Sequence, residues 1–133
     1  MREALKTLGP YLSVQDKAFG ASIDDVDPVA HLVSSADAWG GWKPEHAVYQ
    51  SYVPRNNDGN TPYTLRCARR RRRLWSINVY NKDEYFQKNQ YDKYVINSRK
   101  AKINEDGSVT IHFGGDPSLR NFLPIMPGWN YML

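Results

Sequence analysis

Leu74-Trp75-Ser76-Ile77-Asn78-Val79-Tyr80 and Ser108-Val109-Thr110-Ile111-His112-Phe113 both alternate between apolar and polar side chains. Successive side chains on a strand point to opposite faces, so period two is the mark of a strand with one buried face. It sends Trp75, Ile77 and Val79 to one side, with Ser76, Asn78 and Tyr80 on the other. It likewise turns Val109, Ile111 and Phe113 inward and Ser108, Thr110 and His112 outward. Working outward, Glu105-Asp106-Gly107 supplies a turn before the second strand, and Gly114-Gly115-Asp116-Pro117 breaks the chain after it. A Tyr- and Val-bearing stretch over 47–53 ends at Pro54, and Asn57-Asp58-Gly59-Asn60 turns the chain into Pro62-Tyr63-Thr64-Leu65. The polar, Tyr-rich residues 81–97 hold at most one short strand, near 94–96, and residues 129–133 begin a last one. Short strands separated by turn chemistry predict a mainly β fold, an antiparallel β-sandwich or jelly roll.

The N-terminal side reads differently. Asp27 before Pro28 is an N-cap and first-position pair, predicting a short helix from Pro28 to about Ala38. Val29, Leu32, Val33 and Ala36 form its apolar stripe, and Gly40-Gly41 stops it. Residues 1–8 have the makings of a helical turn or two. The expected organisation is an approach segment or upstream-domain remnant over 1–27, then a β-sandwich domain over 28–133.

A chain of 133 residues fits one domain, and four Trp, nine Tyr and four Phe provide ample core area. No run approaches the ~20 apolar residues of a membrane helix. Residues 1–10 lack the apolar region of a secretory signal. A single Cys67 excludes an internal disulfide and a Cys-based zinc site. Lys and Arg number 18 against 14 acids, but Arg66, Arg69, Arg70, Arg71, Arg72 and Arg73 account for six of them. Without these six the balance is 12 against 14, so the bulk composition does not point to a nucleic-acid partner.

Read together, Asp27-Pro28, Ala38-Trp39-Gly40-Gly41, Asn57-Asp58-Gly59, Thr61 to Leu65, Trp75-Ser76, Val79-Tyr80-Asn81, Asp106 to Gly115, Leu123-Pro124-Ile125 and Pro127-Gly128-Trp129-Asn130-Tyr131 carry a resemblance. In this order the chain resembles the bacterial family called domain of unknown function 1214, over about residues 17–131. The resemblance implies a jelly-roll-like sandwich that often follows a second uncharacterised domain (1254), in proteins that look exported to the cell envelope or periplasm. It implies no catalytic residue set. Two departures stand out. The family continues past the Trp-Asn-Tyr strand, whereas the sequence stops at Leu133, which predicts an unpaired edge open to an upstream domain or a second copy. The family also joins the strands around Leu65 and Trp75 by a short Val-, Asp- and Pro-containing hairpin, where this sequence has its arginines.

Those arginines allow three readings: a solvated loop, a polyanion site of Arg69, Arg70, Arg71, Arg72 and Arg73, or a segment read out of frame. His112 faces outward without an orienting acid, His31 lies near the buried stripe of the helix, and His46 sits in a loop without a partner. Asp24, Asp25 and Asp27 lack the calcium-loop pattern and read as helix N-terminal acids. No phosphate loop or nucleophile elbow is present, and no metal or cofactor is expected. What remains is an excess of aromatic residues: Tyr49, Tyr52, Tyr63, Trp75, Tyr80, Tyr85, Tyr91, Tyr94, Trp129 and Tyr131. Trp75 and Trp129 fit the core, and the others could line a groove for a small or carbohydrate-like ligand. Asn57, Asp58, Tyr63, Tyr80, His112 and Asn130 are the candidate ligand-binding residues. The leading expectation is a binding or accessory module. A hydrolase using His112 and Asp58, and a polyanion binder, are the alternatives.

Overall fold

The alternation in sequence is realised as burial. The computed structural model describes residues 15–37, 45–68 and 74–133, and the chain divides into two units, Met1–Val48 and Tyr49–Leu133. In the second unit the strands are β1 (Ser51–Tyr52), β2 (Tyr63–Ala68), β3 (Ser76–Tyr80), β4 (Val95–Asn97), β5 (Ser108–Phe113), β6 (Phe122–Leu123) and β7 (Asn130–Met132). They form a four-stranded sheet in the order β1-β7-β3-β4 and a three-stranded sheet in the order β2-β5-β6. All pairings of these strands are antiparallel except β5–β6, which is parallel.

Ile77 and Val79 from the first sheet, and Trp129 just ahead of β7, meet Val109, Ile111, Phe113 and Leu123 from the second in one buried cluster. Trp75 packs against it, half-buried. The two sheets are therefore the layers of a β-sandwich, with the predicted inward residues in its core. Each buried aliphatic side chain contributes roughly 1.5–3 kcal/mol. A one-residue slip of β3 or β5 would exchange these for Asn78, Thr110 or His112.

The last strand is itself paired on both sides, and the edge of its sheet beside it is the two-residue β1. β7 lies inside its sheet, with β1 on one side and β3 on the other. Its end is closed by Gln50 and Leu133, whose backbones exchange hydrogen bonds of 2.8 and 2.9 Å. β1 is shorter than the predicted 47–53 strand, and β6 was not anticipated.

The first unit contains α1 (Gln15–Ala18), a 3-10 turn (Ile23–Asp25) and α2 (Pro28–Asp37). Asp27 caps α2 as predicted: its Oδ1 accepts from the Val29 and Ala30 amides at 2.9 and 2.8 Å. The predicted stripe needs correction, since Val29 and Leu32 are 62% and 69% exposed while Ala30 and Val33 are buried. His31 donates from Nδ1 to the Ala18 carbonyl at 2.8 Å and meets Phe19 edge to face. It ties α2 to α1. Residues 1–8, Gly40-Gly41 and Arg69 to Arg73 lie outside the described residues. No helix among the described residues is long and apolar enough to cross a membrane.

Candidate functional site

β1 and β2 are edge strands of different sheets, and the cleft of interest lies between them. It has a volume of about 180 Å³ and is lined by Tyr52, Val53, Pro54, Tyr63, Thr64, Leu65, Phe113, Trp129 and Tyr131. The loop from β1 to β2 is held by its own turn chemistry. Asp58 Oδ1 accepts from the Asn60 and Thr61 amides, each at 2.8 Å, and Oδ2 accepts from the Thr61 hydroxyl at 2.9 Å. This is an Asx turn extended by one bond. The same loop is fastened to the turn ahead of β7: the Gly128 amide donates to the Asn57 carbonyl at 2.7 Å, and Asn57 Nδ2 donates to the Trp129 carbonyl at 3.3 Å. Gly59, at φ 81°, lets the two backbones touch, because a Cβ there would lie 2.4 Å from the Pro127 nitrogen. These contacts set the height of Trp129 in the cleft wall.

Five rings line the cleft. Tyr52 stacks on Tyr131 with centroids 5.0 Å apart, and Phe113 lies 4.9 Å from Tyr131 and 5.1 Å from Trp129. Tyr63 meets Trp129 at 65°, 5.8 Å away. Burial, and secondarily Tyr52, pushes the Tyr131 hydroxyl above its ordinary pKa, so the phenol stays neutral. Trp129 Nε1 is buried and has no hydrogen-bond partner among the described residues. The lining carries no charged side chain. Its polar groups are the hydroxyls of Tyr52, Tyr63, Thr64 and Tyr131.

The predicted site residues are spread over three places. Tyr63 lines the cleft, and Asn57 and Asp58 sit in the adjoining loop, where the Asp58 carboxylate is engaged by the turn and Asn57 Nδ2 by the Trp129 carbonyl. The Asp58 carboxyl is held below its usual range, first by the Thr61 amide and then by Asn60 and the Thr61 hydroxyl. Tyr80 and Asn130 are register partners on β3 and β7. There Tyr80 stacks on Phe86 at 4.9 Å, and Asn130 Nδ2 donates to the Asn81 carbonyl at 3.2 Å. His112 stands on β5 between Thr64 and Phe122, and no hydrogen bond to its ring is found among the described residues. The pairing of His112 with Asp58 therefore has no support in the bonding of either group. His46, expected to lack a partner, lies 3.5 Å from the Glu45 carboxylate. Arg66, the first of the arginines, pairs with Asp106 and donates to the Ser108 hydroxyl. Among the described residues, no group of three or more His, Cys, Asp or Glu is placed to hold a metal ion.

Tyr52, Trp129 and Tyr131 were visible in the sequence as part of the aromatic excess, though not as one site. Their convergence depends on β1 and β7 being neighbours, which no local signal announces.

Fold and cleft together define a β-sandwich domain with an aromatic cleft at one open side. The chain belongs to the protein family of unknown function DUF1214, whose model matches residues 50–133. The crystal structure of the VPA0106 protein from Vibrio parahaemolyticus is similar in fold, with a TM-score of 0.74 at 23% sequence identity. The match covers 98% of this chain and 37% of the Vibrio chain, so this sequence spans little more than a third of that protein's length. No curated protein matches.

Proposed function

We propose that the sandwich is a non-catalytic binding module of an envelope-associated protein, taking a small single-ring ligand into the cleft between β1 and β2. The observation that carries this reading is the ring lining of Tyr52, Tyr63, Phe113, Trp129 and Tyr131 around about 180 Å³. Drug-sized ligands occupy roughly 300–1,000 Å³, whereas an apolar cavity of about 150 Å³ accepts benzene. The volume therefore favours one ring. A saccharide would need several free polar groups. Here the Tyr63 hydroxyl accepts from the Asn56 amide at 2.8 Å, and Asp58 is occupied by its turn. This supports an apolar ring over a sugar. The envelope setting follows the family resemblance.

The test is a titration of ¹⁵N-labelled protein with toluene and, separately, with methyl β-glucoside. Saturable shifts with toluene at Tyr52, Thr64 and Tyr131, and none with the glucoside at equal concentration, are expected. Shifts confined to the surroundings of His112 or Tyr80 would overturn the assignment of the cleft.

A further inference from the structure

β2 stands at the edge of its sheet, with β5 on one side only. The direction of its backbone groups follows from β5. The amides of His112 and Gly114 donate to the Asn121 and Leu123 carbonyls, toward β6. Backbone groups of successive residues on a strand point to opposite sides, so those of Ile111 and Phe113 face β2. Their register partners there are Leu65 and Tyr63. The N–H and C=O of Thr64 and Arg66 therefore point away from β5, and no backbone partner for them is found among the described residues. The register from Tyr63 to Ala68 is unbroken and holds no Pro or Gly. Such an edge is a template for a further strand. Thr64 also lines the cleft with its neighbours Tyr63 and Leu65, so the bare edge and the ring-lined cavity adjoin.

We infer that the ring taken by the cleft is an aromatic side chain of an extended acidic peptide, which adds as an antiparallel strand to the edge of β2. The inference rests on the cleft being the binding site. In strand addition, main-chain hydrogen bonds give affinity and alternate side chains give specificity. A peptide residue opposite Leu65 turns to the inner face, beside the cleft, while those opposite Thr64 and Arg66 turn outward. About 180 Å³ admits one ring from such a strand. The residue facing Arg66 is acidic, because opposite charges attract across a strand pair. The guanidinium keeps donors beyond its bonds to Asp106 and Ser108. A second copy fits the edge less well: β2 runs in sequence into Arg69 to Arg73, and self-pairing would bring two such runs to one interface.

The probe is the peptide Ac-Val-Glu-Phe-Thr-Gly-NH₂, which sets its Glu against Arg66, its Phe against Leu65 and its Thr against Thr64. It is compared with forms N-methylated at Glu or at Phe, and with a form carrying Gln in place of Glu. Affinities and amide shifts of the full chain are read by ¹⁵N NMR, with toluene as a separate titrant. The expected result is a shift of the Thr64 and Arg66 amides and a loss of about tenfold on methylating Glu, whose N–H bonds to Arg66. Methylating Phe, whose N–H faces away from β2, should change little. The Gln peptide should bind about two- to fivefold more weakly. Equal losses from the two methylations, or unmoved Thr64 and Arg66 amides, would overturn the inference, while saturable toluene shifts would leave the cleft as a ring site. A Gln peptide as tight as the acidic one would overturn the charge assignment. A free protein already dimeric, with the Thr64 and Arg66 amides protected from exchange, would give the edge to a second copy and overturn the peptide. Binding of neither toluene nor peptide would remove the cleft reading and the inference with it.

Discussion

The side-chain amide of Asn121 clasps the backbone of Lys102: its Oδ1 accepts from the Lys102 amide at 2.7 Å while its Nδ2 donates to the Lys102 carbonyl at 2.8 Å. The same Nδ2 donates to the Thr110 carbonyl at 2.8 Å, and the Asn121 carbonyl accepts from the His112 amide at 3.2 Å. One buried side chain thus joins the segment before β5, β5 itself and the start of β6. Asn121 does so at φ 54°, a left-handed conformation that Asn tolerates better than most residues.

Asn121→Ala should lower stability by about 2–3 kcal/mol, combining unpaired buried groups with a strained backbone. Asn121→Gly should recover about 1 kcal/mol of that, since glycine relieves only the strain. Urea unfolding of the three proteins measures both steps. An alanine variant within about 0.5 kcal/mol of wild type, the range of ordinary surface changes, would refute the clasp.

Gly59 and Gly107 have nearly the same backbone, φ 81° and 80°, but a Cβ on Gly59 would strike the backbone of Met126 and Pro127 while one on Gly107 meets nothing within 4 Å. Gly107→Ala should therefore cost about 1–2 kcal/mol, the left-handed penalty alone. Gly59→Ala adds an overpacking cost and should total about 2–5 kcal/mol. Thermal melts of the pair compare them under one backbone conformation. Equal losses would show that the two turns can separate freely.

Much of this fold was legible because period two survives wherever one face of a strand is buried. Ile77, Val79, Val109, Ile111 and Phe113 follow it without exception. β6 escaped notice because two residues, Phe122 and Leu123, hold no period, and only their pairing with His112 and Phe113 makes them a strand. The stripe of α2 was misread because Val29 and Leu32 look more buried than Ala30 on hydropathy, and the helix turns Ala30 inward instead. The site was legible only in pieces. Asn-Asp-Gly was correctly seen as a turn, but none of its residues lines the cleft, and the neighbourhood of Tyr52 and Tyr131 is a long-range pairing.

Acid should loosen the turn before β5. The Asp106 carboxyl is held down at about 2, first by the Ser108 hydroxyl, then by the Ser108 amide, with Arg66 adding less. A carboxylate whose folded pKa lies below its ordinary 3.8 stabilises the fold above that value and loses the contribution as pH falls toward 2. Asp106→Asn should flatten the decline of the urea midpoint between about pH 4 and pH 2. An unchanged slope would mean that the exposed Asp106 contributes nothing to stability.

The last prediction separates the cleft from the other two candidate places. Tyr52 stacks on Tyr131 at the exposed rim of the cleft, and its hydroxyl donates only to Gln50 Oε1 at 3.0 Å, so removing it disturbs little of the core. Stacked aromatic pairs are worth roughly 0.5–1.5 kcal/mol beyond area burial. Tyr52→Ala should therefore weaken toluene binding by about fivefold or more, with a loss of stability near 1 kcal/mol. His112→Ala and Tyr80→Ala lie outside the lining and should leave toluene affinity within about twofold, the scale of surface effects. The three affinities are read from the same NMR titration. A ranking in which His112→Ala or Tyr80→Ala abolishes binding while Tyr52→Ala does not would move the site to the outer face of β5 or to the Tyr80–Phe86 stack.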